Sequence, residues 1–322
     1  TVFFNTCHYL ADEKFPKRCT YDALTKRPTK RCTARPPDAL FRPSATGARR
    51  SVLDMADGGN ALMVLLRSLL LLLGLSRASA LVICGIEVPN ARASPSSRAL
   101  DDKSWPEAFP YSEADLTPDW AGNDQMFYVL PKFVQHADEE ARASLTRYYD
   151  CVLPPDGTGA VLDLCSSFTS HYPKGRKAAR CVALGLNPLE LVANPSKTEW
   201  LQQDLNKKPK LPFEDNSFDL ITNSLSVDYL TQPLEIFAEM HRVLKPGGIG
   251  CAAFTNRCFP TKVVPAWKRP FTEVAHAELV GSYFRYCAAE WEPAEVADVS
   301  PDGFKGLQNP MIVVMARKAA AP

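Results

Sequence analysis

The sequence predicts an α/β fold in which a doubly wound, mostly parallel sheet carries helices on both faces. Three observations predict it. From Ala160 onward, short apolar runs alternate with loops and helical segments, the pattern of strands joined by crossover connections. Leu234, Phe237, Met240, His241 and Leu244 then recur at helical spacing, which gives one apolar helix face. Lys245-Pro246-Gly247-Gly248 stops that helix, because Pro cannot continue it and Gly supplies the left-handed turn.

Taken along the chain, residues 1–54 show no sustained period and carry eleven Lys/Arg against five Asp/Glu; such a segment lacks the apolar mass to offset its ordering entropy. The first Met is Met55, so residues 1–54 read as a leader outside the working protein. Residues 55–104 read as a targeting segment and linker. Arg67 precedes the apolar run Leu69 to Leu75, and Ala78-Ser79-Ala80 follows, the order of a cleaved secretory signal. That run is shorter than the roughly 20 residues that cross a bilayer, and no stable membrane span is expected. The stretch Asn90 to Leu100 holds Arg and Ser without an acid and resembles a transit peptide. Together the two segments look like the bipartite plastid address of some algae; a secretory fate or no targeting at all are the alternatives.

Residues 105–322 form the expected catalytic domain. Phe127 to Tyr149 reads as a pair of helical segments punctuated by Pro131 and by His136-Ala137-Asp138. Strands are expected at Ala160–Leu164, Arg180–Leu186, a short run ending near Gln203, Ser217–Thr222, Ile249–Phe254 and Met311–Ala316. The formal net charge of +1 over 322 residues argues against wrapping nucleic acid, which needs a basic excess. Ten cysteines are spread singly, without CxxC or metal-ligand spacing. They read as structural thiols, and no metal is expected.

VLDL, GLN, QDLN, LPFEDNSFDLI and HRVLKPGG occur in that order. Their order and spacing resemble those of class I S-adenosylmethionine-dependent methyltransferases, closest to the ubiquinone- and menaquinone-biosynthesis branch. The likeness covers residues 125–262 well and 263–318 weakly. The strings DLCSSFTSHYP and FTNRCFPTK resemble a less characterised group within that branch. The resemblance implies a Rossmann-like sheet of seven strands under an N-terminal helical cap, with S-adenosylmethionine as cofactor and a small-molecule methyl acceptor.

Ligands of open parallel sheets bind beyond the carboxyl ends of the strands. The resemblance therefore places Asp163 and Leu164 at the tip of the first strand, with Asp163 orienting the cofactor's amino group. Cys165, Ser167 and Thr169 fall where the family has Gly, a departure that favours an inactive, methyltransferase-like binding or assembly protein as the alternative. Asn187 stands where an acid usually grips the ribose, and it can accept one hydrogen bond and donate another. Asp204 would accept from the adenine amino group and the Leu205 amide would serve a ring nitrogen; a turn aspartate is the plainer reading. Asn223 and Ser224 would line the methionine end. Tyr128, Phe133 and His136 are lid residues or simple packing. Asp228 and Tyr229, then Asn256, Arg257 and Cys258, sit in loops opening onto the acceptor side. Phe259, Val263, Val264 and Trp267 hint at a partly apolar acceptor. His171 is the candidate general base, a hydrogen-bonded loop His being the alternative. An NAD-dependent dehydrogenase would want Gly-x-Gly-x-x-Gly after the first strand, and that motif is missing.

Overall fold

The computed structural model describes residues 80–120, 122–301 and 308–320. The leader at residues 1–54 and the apolar run at 69–75 lie outside the described residues. Strands β3 (Ala160–Leu164), β4 (Arg180–Gly185), β5 (Glu199–Gln202), β6 (Phe218–Ser224), β7 (Leu244–Phe254), β8 (Glu295–Asp298) and β9 (Ile312–Arg317) form one seven-stranded sheet. Its order is β5-β4-β3-β6-β7-β9-β8. β3 pairs in parallel with β4 on one side and β6 on the other, so the winding reverses there. β9 runs antiparallel to both β7 and β8.

Both faces of the sheet are buried, which is why its strands read as continuous apolar runs. Leu162, Leu164, Ile221, Ala252 and Phe254 face a core that includes Phe237, Met240 and Tyr283. These last three come from the helices Pro233–Val243 and Glu273–Tyr286. Alternate positions, Val161, Leu220, Cys251 and Ala253, face a second core with Leu145, Tyr148 and Tyr149 from the helix Glu139–Val152. Asp138 caps that helix by accepting from Ala141 N at 2.9 Å, which satisfies one of its orphan donors.

Three sequence expectations change. The helix ends at Val243, and Leu244 already pairs with Phe218, so β7 begins before the Pro-Gly-Gly stretch and shifts register past it. Of the two helical segments expected over 127–149, the second is present as Glu139–Val152, while the first gives way to a four-residue helix, Asp124–Phe127, and an irregular strap through residues 128–138. Pro131 disfavours helix at its own position and at the residue before it. Finally, the domain starts before residue 105. Strands β1 (Leu81–Ile83) and β2 (Ile86–Val88) form a hairpin, and Ile83, Cys84 and Val88 belong to the second core. Arg92 bridges to Asp298 at 3.1 Å. The seven cysteines of the described residues are free thiols. No helix among the described residues is long and apolar enough to cross a membrane.

Candidate functional site

A cavity opens beyond the carboxyl ends of β3, β4, β5, β6 and β7, roofed by the strap. That is the switch point where open α/β sheets bind ligands. Of the residues singled out from sequence, Asp163, Cys165, Ser167, His171, Asn187, Asp204, Leu205, Ser224 and Tyr229 line it, as do His136 and Cys258. Leu164, Asn223, Asp228 and Asn256 do not. Leu164 and Asn223 are buried within paired strands. Asp228 is buried too, and burial pushes its carboxyl up to about 8. Asn256 instead accepts from the Asn309 amide at 2.9 Å. Among the apolar candidates Phe259 lines the cavity, while Val263, Val264 and Trp267 are core residues. Phe133 is 55% exposed and meets Phe168 edge-on at 5.6 Å instead of lining the cavity.

Asp163 is fully enclosed. Its Oδ2 accepts from Ser166 Oγ at 2.6 Å and its Oδ1 from Thr222 Oγ1 at 3.0 Å. Burial raises its carboxyl to about 6 even so, the hydroxyl donors pulling the other way. The loop that follows holds Cys165 at φ 55°, a left-handed conformation that costs a non-glycine residue about 1–2 kcal/mol. His171 (φ 59°) and Leu225 (φ 56°), both lining the same cavity, adopt it as well. Such outliers persist only where surrounding contacts fix them. Ser166 N donates to Leu184 O at 2.8 Å, which ties the loop to β4. The tie needs Gly185, where a Cβ would lie 2.1 Å from the Ser166 carbonyl oxygen.

Asn187 is committed elsewhere. It caps the helix Pro188–Ala193, its Oδ1 accepting from Leu189 N (2.9 Å) and Glu190 N (3.2 Å). Its amide donates to Tyr128 O at 2.8 Å and anchors the strap. The expected ribose grip therefore does not come from Asn187. A buried acid that the sequence reading missed stands one turn on. Glu190 lines the cavity, accepting from Ser167 Oγ at 2.5 Å and from Lys132 N at 2.6 Å. Asn-Pro-x-Glu is a helix-start pattern, so the sequence signal for Glu190 was that of a capping residue.

Asp204 is 7% exposed. Its Oδ1 accepts from Asn206 N at 3.1 Å. Its Oδ2 has no hydrogen bond and meets only Lys207 Nζ at 3.5 Å. A buried carboxylate oxygen without a hydrogen bond is costly unless a ligand donor completes it. Asn206, beside it, holds the far wall by donating to Asp124 Oδ2 (3.0 Å) and Tyr229 O (2.9 Å), and Asp124 pairs with Lys262. Burial lowers His171 to about 4, with Arg142 and His136 acting in the same direction. The imidazole is thus neutral at pH 7, and a weak base.

A parallel sheet that reverses its winding at β3, with a cleft at that point, defines a Rossmann-like α/β domain. Residues 162–252 match the family model described as "Methyltransferase domain". Over 96 residues the chain is 37% identical to the biotin biosynthesis bifunctional protein BioHC of Teredinibacter turnerae, covering 29% of this chain and 17% of that protein. Over 77 residues it is 36% identical to the demethylmenaquinone methyltransferase of Listeria welshimeri, covering 24% of this chain and 27% of the relative. The matches thus span well under a third of these relatives' lengths. A solved S-adenosylmethionine-dependent methyltransferase from Mesorhizobium loti superposes with a TM-score of 0.38 at 18% identity, over 54% of this chain and 98% of that one. Residues 162–252 thus carry a likeness to methyltransferase domains, whose cofactor is S-adenosylmethionine. The residues present fit that cofactor, since the unsatisfied Asp204 Oδ2 lines the cavity at the tip of β5.

Proposed function

We propose that the protein transfers the methyl group of S-adenosylmethionine to a small-molecule acceptor. The observation that carries this reading is the buried, hydrogen-bond-deficient Asp204 Oδ2 in the cavity at the switch point. The cofactor supplies an electrophilic methyl on a positively charged sulfur. Asp204 accepts from the adenine amino group. Glu190, and not Asn187, offers the acid for the ribose hydroxyls, and Ser167 Oγ and Lys132 N hold it in place. Asp163, raised to about 6 by burial, is completed by the cofactor's ammonium group, which favours its ionised form.

What the chain then contributes is positioning. Holding an acceptor at attack distance is worth about 7–11 kcal/mol of barrier. The strap helps by covering the cleft with Tyr128 and His136. His171 is offered as a hydrogen-bonding wall residue, because a neutral imidazole lowered to about 4 removes protons poorly. The inactive-protein alternative rested on the missing loop glycines, and the loop reaches the cavity without them.

Calorimetric titration of the purified protein with S-adenosylmethionine and with NADH tests the reading. Heat is expected with the first and none with the second, and the reverse result ends it. Methyl transfer itself is checked by incubating the protein with methyl-labelled cofactor and a low-molecular-weight cell extract. For delivery we propose the plastid, on the apolar run closed by Ala78-Ser79-Ala80 and the acid-free Arg/Ser stretch that follows it. Imaging of the tagged full chain in its own cells checks the destination, and a signal outside the plastid would refute it.

A further inference from the structure

We propose that the methyl acceptor is an organic anion with a flat, apolar body, held by Arg257 and Lys132 against the Phe259 ring. This rests on the methyltransferase reading and names the class of its acceptor. Arg257 lines the cavity from the loop after β7, and its buried Nε has no hydrogen-bond partner. Lys132 reaches the same region from the strap. Its Nζ sits 3.7 Å from the Phe127 ring centre, 4.8 Å from that of Tyr128 and 4.9 Å from that of Phe259. Among the described residues neither cation has a carboxylate within ion-pair distance. Burial accordingly lowers the Lys132 ammonium below its ordinary range.

The acids nearby do not balance these charges. Asp124 is paired with Lys262 and also accepts from Asn206. Glu190 acts on Lys132 across space, but its oxygens are taken by Ser167 Oγ and Lys132 N and it forms no ion pair with the ammonium. Asp228, driven up by burial, is mostly protonated at pH 7. Two partly desolvated cations without an ion-pair partner are unfavourable, and an incoming carboxylate or similar anion satisfies both. The surrounding surface sets the shape of the rest. Phe259 meets Tyr229 at 6.0 Å and His136 at 5.8 Å, so the wall is made of rings and accepts a planar body by stacking. A cationic amine could use the same rings, but it would have to displace Lys132 and would then face Arg257.

The test uses the full chain, with S-adenosylhomocysteine completing the cofactor site, and three probes of one shape: benzoate, benzamide and benzylamine. Benzoate is expected to bind at least about tenfold more tightly than either of the others, the usual worth of a charge-assisted pair. Arg257→Gln should abolish that preference while melting like the parent protein, and Arg257→Lys should keep part of it. Lys132→Gln should weaken benzoate less than Arg257→Gln does. Equal affinity for benzoate and benzamide, tighter binding of benzylamine, or an unaltered preference in Arg257→Gln overturns the proposal. The benzoate titration is repeated without S-adenosylhomocysteine. A protein that binds benzoate through Arg257 but no adenosyl ligand refutes the methyltransferase reading and not the anion site.

Discussion

Gly185→Ala probes the joint on which the cofactor loop depends. The added methyl carbon would sit 2.1 Å from the Ser166 carbonyl oxygen and 3.2 Å from Leu191 Cδ2. Ordinary carbon–oxygen contact is near 3.4 Å, so the loop or the strand must move by about 1 Å, and overpacking of this kind costs about 1–3 kcal/mol. The Ser166 N to Leu184 O hydrogen bond (2.8 Å) is strained by the same movement, at a net cost of about 1 kcal/mol. The sum, about 2–4 kcal/mol, lowers the melting temperature of a domain this size by about 5–15 °C. Ser166 also donates to Asp163 Oδ2, so a displaced loop leaves that carboxylate misplaced. Cofactor affinity is then expected to fall by at least about tenfold, since 1.4 kcal/mol is a factor of ten. Thermal melting and calorimetry with S-adenosylmethionine read both effects. A variant that melts within a degree of the parent and binds as tightly would show that the loop does not depend on this close approach.

Asp204→Ala should weaken S-adenosylmethionine about ten- to hundredfold by calorimetry, the worth of a hydrogen bond to a charged group; unchanged affinity removes the adenine role. Glu190→Gln should cost about tenfold in cofactor affinity. Asn187→Ala should instead mainly lower stability, by about 1 kcal/mol for a lost helix cap, and the opposite ranking in a paired titration and melt would restore Asn187 to the ribose. Cys165→Gly should leave stability within about 1 kcal/mol, because relief of the left-handed backbone offsets the entropy that glycine adds to the unfolded chain. Its cofactor affinity should change little, and a large gain would mean that the missing glycine had been limiting. The buried His276, lowered to about 4 and stacked on Trp267 at 3.9 Å, makes stability depend on pH. Because its folded value lies below the unfolded 6.5, its contribution is complete above 6.5 and shrinks as pH falls toward 4. Between pH 7 and 5 that is about 2 kcal/mol. It is read as the difference between the pH dependence of parent and His276→Gln in paired urea titrations, since His171, Asp163 and Asp228 titrate in both; equal profiles refute it.

The fold was largely legible because the sheet is buried on both faces. Val161 and Leu162 point into different cores, yet both positions must be apolar, so each central strand is written as an unbroken run. What escaped the sequence depends on contacts far apart along the chain. The hairpin at Leu81–Val88 looked like linker because its apolar residues find partners far along the chain, among them β8, β9 and the helix Glu139–Val152. Lys132 became visible only when the strap folded back on Glu190, 58 residues away. Asn187 is a different case. Pro188 directly after it marks a helix start, a local signal for a cap that the ribose expectation passed over.

The missing glycines have a related explanation. A cofactor loop in this fold needs the backbone of its first turn to come close both to the ligand and to the neighbouring strand. Loop glycine provides this by removing side chains from the loop itself. The strand side of that approach is kept here, Gly185 of the GLN motif letting the Ser166 carbonyl come close to β4. Cys165 meanwhile accepts the left-handed turn with its thiol buried and its pKa pushed up to about 12, so it stays neutral and acts as a small apolar group. The side chains that remain in the loop are then free to donate: Ser166 to Asp163 and Ser167 to Glu190. Both acids of the cavity floor are thereby held by hydroxyls, and one of them, Ser167 on Glu190, stands at a glycine position of the family pattern, so the departure adds a donor at the cofactor end of the site.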